Sequence, residues 1–183
     1  MLWADLSRDI VRTEVGSGEE AASFTLSVGS PSLPFTQMHL IARHSVRSTS
    51  GNIDVSIRLN TDSGSNYAYQ NMASASGSAA AANDAAATSY KIHTVGATAL
   101  KFGNGEALVT DAFATRGFKG IESIGANFES QVVLATGNWG STAAVTSVTW
   151  VATGGGSFAE GSVFTLAVAD EMFAVAGGQT VIT

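Results

Sequence analysis

The chain has no cysteine among its 183 residues. That absence removes disulfides, thiolate metal sites and a cysteine nucleophile together, and it accords with a cytosolic origin. Proline is almost missing too. Pro31 and Pro34 are the only two, and since proline is excluded from central ladders, any strand before them must end ahead of them. Charge is scarce, at 13% of residues, with 9 Lys and Arg against 15 Asp and Glu for a net charge of −6. Phosphate binding needs a positive face, so the balance argues against nucleic acid as a partner. Arg43, Arg47 and Arg58 remain as one small basic patch, with solvated strand positions as the plainer reading. No run approaches the ~20 apolar residues of a membrane span. The opening MLWADLSRDIVRTEV carries Asp5, Arg8, Asp9 and Arg12. It has no apolar core segment and does not read as a signal peptide. No Asn-x-Ser/Thr sequon occurs.

What the chain does have is a period of two. In the stretch 52–71, Ile53, Val55, Ile57 and Leu59 alternate with Asp54, Ser56, Arg58 and Asn60. That is a strand with one buried and one wet face. Residues 61–66 are polar or Gly, which is turn chemistry. Tyr67 and Tyr69 then begin a second alternating run, so the stretch predicts a hairpin near the middle of a sheet. Similar runs lie at 10–15, 23–28, 37–47, 90–95, 107–114, 117–128, 131–135, 144–151 and 162–168. In the third of these, Leu40, Ala42, His44 and Val46 share one parity while His39, Arg43 and Arg47 face away. Turn residues at 16–18, 103–105, 137–140 and 154–156 punctuate the runs. The segment 73–89 is dominated by Ala and Ser, has no apolar stripe, and reads as a long surface loop with at most one helical turn.

Eight to ten short strands without a long amphipathic helix mean an all-β, antiparallel double-sheet sandwich, best as a jelly roll. One domain of this length buries roughly 70% of its unfolded surface and needs no staple. Its expected extent is 10–168, with a short N-terminal arm at 1–9 and a C-terminal extension at 169–183 that contains Met172, Phe173 and Val175. An apolar tail of this kind prefers to be covered, by its own core or by a neighbour.

The side chains that carry chemistry point nowhere in combination. His39 and His44 have opposite strand parity and His93 is remote in sequence, so converging metal ligands are not expected. Asp62-Ser63-Gly64-Ser65-Asn66 offers oxygen ligands but lacks the spacing and closing Glu of a calcium loop; turn-forming Asx residues explain it better. No Gly-x-Ser-x-Gly elbow occurs. Gly16-x-Gly18 and Gly103-x-Gly105 lack the third glycine and the helix of a dinucleotide site. Glu122 and Glu129 with Asp111 would serve a glycosidase only at about 5–9 Å separation, and solvated strand edges are the simpler reading. Trp139 and Trp150 suit sugar stacking or, more plainly, core packing.

Four segments in combination resemble a family of tailed-phage virion proteins with a jelly-roll-like domain. They are Leu40-Ile41-Ala42-Arg43 with Ser45-Val46-Arg47-Ser48-Thr49; Ile57-Arg58-Leu59-Asn60-Thr61-Asp62-Ser63-Gly64-Ser65-Asn66-Tyr67; residues 137–148, GNWGSTAAVTSV; and residues 156–166, GSFAEGSVFTL. Their order and rough spacing fit as well, so the likeness covers about 10–168. The resemblance implies a virion structural protein that is not an enzyme and needs no cofactor or metal. It implies either a capsid decoration (cement) protein bound to the major capsid protein across capsomers, or a tail-fibre, tail-tip or receptor-binding module that contacts tail proteins or the host surface. The short chain, with neither fibrous repeats nor heptads, favours the capsid surface. A homo-oligomer is expected, most simply a trimer matching capsid threefold positions, made in the host cytoplasm and carried on the virion without membrane or direct nucleic-acid contact. Leu2, Trp3 and Leu6 in the N-terminal arm and Met172, Phe173 and Val175 in the tail are the expected partner contacts.

Overall fold

The computed structural model describes residues 7–28, 39–75, 78–127 and 131–169. The expected contacts Leu2, Trp3, Leu6, Met172, Phe173 and Val175 lie outside the described residues, as do Pro31, Pro34 and Glu129. Twelve strands and no helix occur among the described residues. They are β1 (Ser7–Glu14), β2 (Ser23–Ser27), β3 (His39–Val46), β4 (Ile53–Leu59), β5 (Tyr67–Ala75), β6 (Ser78–Ala87), β7 (Tyr90–Val95), β8 (Gly103–Val109), β9 (Lys119–Asn127), β10 (Gln131–Trp139), β11 (Ser147–Thr153) and β12 (Val163–Ala169). All pairings are antiparallel. One sheet has eight strands in the order β1-β12-β3-β8-β9-β10-β5-β6; the other has four, β2-β11-β4-β7. The protein is an all-β sandwich.

Alternation makes the core. Leu40, Ala42, His44 and Val46 of β3 point inward, as do Ile53, Val55, Ile57 and Leu59 of β4, and all are buried. Phe164 stacks at 5.2 Å on Phe24 and lies 5.0 Å from Phe158, with Trp150 at 5.2 Å. Burying each such ring stabilises the fold by about 1.5–3 kcal/mol.

Three sequence expectations change. The stretch 52–71 is not a hairpin: β4 and β5 belong to different sheets. Asn60 and Thr61, at φ +53° and +58°, form a tight turn closed by the Asp62 amide on the Leu59 carbonyl at 3.0 Å. Residues 62–66 then carry the chain across to the other sheet. Turn chemistry between two alternating runs reads alike for a hairpin and for a crossing; only ladder partners tell them apart. The segment 73–89 is not a loop: β5 runs on to Ala75 and β6 pairs back along it, from Ala75 opposite Ser78 to Tyr67 opposite Ala87. Alanine's helix preference is weak, and a waiting ladder overrides it. Finally, β1 begins at Ser7 opposite Ala169, so the paired body takes in residues assigned to both arms.

Candidate functional site

Several residues of the resembling segments are structural staples. Asn60 ties its turn to the segment leading into β11: its side-chain amide donates to the Ala144 carbonyl at 2.8 Å, and its Oδ1 accepts from the Thr146 amide at 2.7 Å and the Ser147 amide at 3.3 Å. Asp62 accepts from the Gly64 amide (2.8 Å), Asn66 Nδ2 (2.9 Å) and Trp139 Nε1 (2.7 Å). Those donors, Trp139 foremost, hold its carboxyl below the ordinary range. The loop is thus an Asx turn capping Trp139. Beyond the other end of β4, Phe158 bridges to Ala21 and Ser48, and the Arg47 amide donates to Ser162 Oγ at 3.3 Å. Trp139 and Trp150 are both buried and face the core, not a sugar.

The other candidates disperse. Arg43 sits on the outer face of the eight-stranded sheet, paired with Glu106 at 2.6 Å. Arg47 lies over the Phe102 ring at 5.8 Å, and Arg58, on the four-stranded sheet, donates to the Thr88 carbonyl at 3.0 Å. They make no common patch. Asp111 stands in the turn after β8 at φ +50°, and Glu122 faces outward between Leu108 and Thr136. Among the described residues no group of three or more His, Asp or Glu side chains gathers to hold a metal.

Two histidines do meet. His44 of β3 and His93 of β7 reach across the sandwich, their Nε2 atoms 2.7 Å apart and their rings stacked at 5.0 Å. Trp150 Nε1 donates to His44 Nδ1 at 3.2 Å. Burial pushes both rings well below the usual imidazole range, with the neighbouring His93 adding to the effect at His44. His93 is brought down to about 4, opposed by the Thr94 backbone. Sequence gave no sign of this pair, since the two strands lie in different sheets.

The feature that sequence reasoning missed on the surface is an apolar row. Met72 of β5 lies opposite Leu134 of β10, and Leu134 opposite Ile124 of β9. All three point outward, 59%, 48% and 52% exposed, with Val132 beside them at 48%. The row ends at the Glu106–Arg43 ion pair, the next two positions in register. On its other side β6 is an edge strand, exposed along its length except at Ala87. A groove of about 660 Å³ runs between, lined by Met72, Ala81, Ala82, Leu134, Glu122 and Thr136. An exposed apolar stripe on one sheet face is the kind of feature that marks contact sites on soluble proteins. The signal available in the sequence was Val132-Val133-Leu134-Ala135, apolar at both parities where a wet face needs polar residues.

Set against protein-family models, the curated proteins and the solved structures, the chain matches none of them.

Proposed function

We propose that the protein is a non-enzymatic phage virion component, a capsid decoration protein that binds the major capsid protein across capsomers and stabilises the head. The observation that carries this reading is the row Met72–Leu134–Ile124, an exposed apolar stripe on the broad face of the larger sheet. The combination of sequence segments resembling phage virion proteins supports it. Strand order supports the jelly-roll part. Without β5, β6, β9 and β10, the remaining eight strands divide as β1-β12-β3-β8 and β2-β11-β4-β7. That is the four-and-four arrangement of a double-sheet jelly roll, with two antiparallel strand pairs added beyond β8. The addition creates the apolar row, because Met72, Leu134 and Ile124 all lie on added strands. A stable contact would bury about 800 Å² on each partner. A trimeric assembly would fit threefold positions of a capsid, and the arm residues Leu2, Trp3, Leu6, Met172, Phe173 and Val175 would extend the contact.

The test counts and then perturbs. Mass spectrometry of purified virions is expected to find hundreds of copies, in step with the capsid lattice; a few dozen or fewer would favour the tail reading. Leu134→Asp replaces an outward, half-exposed side chain, so its unfolding midpoint is expected to stay near wild type while binding to capsids falls at least tenfold. Undiminished binding would show that the row is not the contact.

A further inference from the structure

The buried pair has a property that neither histidine has alone. Trp150 Nε1 can only donate, so His44 Nδ1 must be an unprotonated acceptor. His44 then carries its proton on Nε2 and donates to Nε2 of His93. His93 in turn carries its proton on Nδ1, which is buried without a hydrogen bond of good geometry. The tautomer of each ring is thereby set, and both ring lone pairs are already occupied. A third proton on His93 Nε2 would face the N–H of His44 head-on at 2.7 Å. On His44 Nδ1 it would face the Trp150 N–H at 3.2 Å. No proton can be added without breaking one of these contacts.

The surroundings offer little compensation. His44 lies in register with Phe164 on one side and Gly105 on the other, and Gly105 with Gly125. A Cβ on Gly105 would come within 2.5 Å of the His44 ring, and one on Gly125 within 2.7 Å of the His93 ring. The glycines form a slot that holds both rings and carries no charge. The charged groups acting on His93 are Lys91 and Asp54, which pair with each other at 2.8 Å and act in opposite directions. Ser123 and Tyr90 face inward nearby with hydroxyls bonded to each other at 3.3 Å. Glu106 and Arg43 neutralise each other on the outer face.

We propose that His44 and His93 form an acid-sensitive latch between the two sheets. Neutral, they join β3 to β7 across the core, beside the bonds from Thr94 to Gln131 and Asn127 and from Tyr90 to Ile121; acid forces the rings apart and weakens the join between the two sheets. The inference stands apart from the virion reading and does not depend on it.

The direction follows from linkage. The unfolded chain takes up protons on both histidines near the ordinary imidazole value of about 6.5, while the folded pair refuses them. Each proton bound only by the unfolded chain lowers the folding constant about tenfold per pH unit. Urea unfolding of the intact protein at pH 7.5, 6 and 5 tests this against the double variant His44→Gln with His93→Gln. The wild-type folding constant is expected to fall about ten- to a hundredfold more between pH 6 and pH 5 than that of the variant. Equal pH dependence would overturn the latch. Imidazole ¹⁵N shifts of the wild type give a second measurement, one that survives a variant that fails to fold. His44 is expected to stay in the Nε2–H form and His93 in the Nδ1–H form down to the pH at which the protein unfolds. Either ring titrating near 6.5 in the folded protein would overturn the proposal.

Discussion

Asn60 shows how much one side chain can decide. It sits at φ +53°, where an L-residue is strained, and its side chain makes hydrogen bonds to Ala144, Thr146 and Ser147, leading into β11. Asn60→Ala loses the contacts and keeps the strain; Asn60→Gly loses the contacts but relieves the backbone. Urea unfolding is expected to show Ala costing about 2–4 kcal/mol and Gly about 1 kcal/mol less. If Ala and Gly cost the same, the backbone strain is not real. The polar turn at 61–66 was legible from residue type. Its bonds to 139–147 were not, because sequence holds no measure of distance between segments so far apart. The same limit hid the histidine pair. Parity placed His44 inward and His39 outward, as observed, yet nothing along the chain placed His93 against His44.

At the scale of elements, alternation located most strands to within a few residues, and Tyr90–Val95 matches the expected bounds. Failures came where pattern and pairing part company. β6 is nearly all Ala with Asn83 and Asp84, so its hydrophobic periodicity is blank, and only its ladder with β5 makes it a strand. As the edge of the larger sheet, β6 has one row of backbone groups bonded to β5 and another facing outward. Amide hydrogen exchange is expected to alternate along Ser78–Ala87, with residues whose N–H points to β5 protected and their neighbours exchanging at least tenfold faster. Uniformly fast exchange would mean that β6 does not hold its ladder; uniformly slow exchange would mean that its outer edge is covered. In β9 and β10 alternation held but its meaning changed: Ile124, Val132 and Leu134 occupy the outward parity and still are apolar.

For the whole molecule, the titrating groups give stability a plateau with two edges. On the acid side the two histidines resist protonation, so stability is lost as pH falls from 6.5 towards about 4. Asp62, whose folded carboxyl is held below 3.8, adds a further loss only when pH falls below that value. On the alkaline side burial pushes Tyr90 up to about 12 and raises Tyr67 as well. The unfolded chain ionises these first, near 10, and stability falls above that. Melting temperature measured from pH 3 to pH 11 is expected to be flat between about 7 and 10 and to drop on both sides. A maximum at pH 5 would contradict the burial of the histidines.

By itself, the sequence determined that the protein is all-β, where most strands run and which parity of β3 and β4 is buried. These follow from local sterics and from a two-residue period that each strand carries within itself. It also held the turn chemistry at 61–66 and the scarcity of charge. Only the tertiary structure decided that β4 and β5 lie in different sheets, that β6 is a strand, that His44 meets His93, and that Met72, Leu134 and Ile124 form one row. Each of these is a relation between segments distant along the chain. It is set by which backbone donors find which acceptors and which faces meet across the core, and no local pattern encodes that choice.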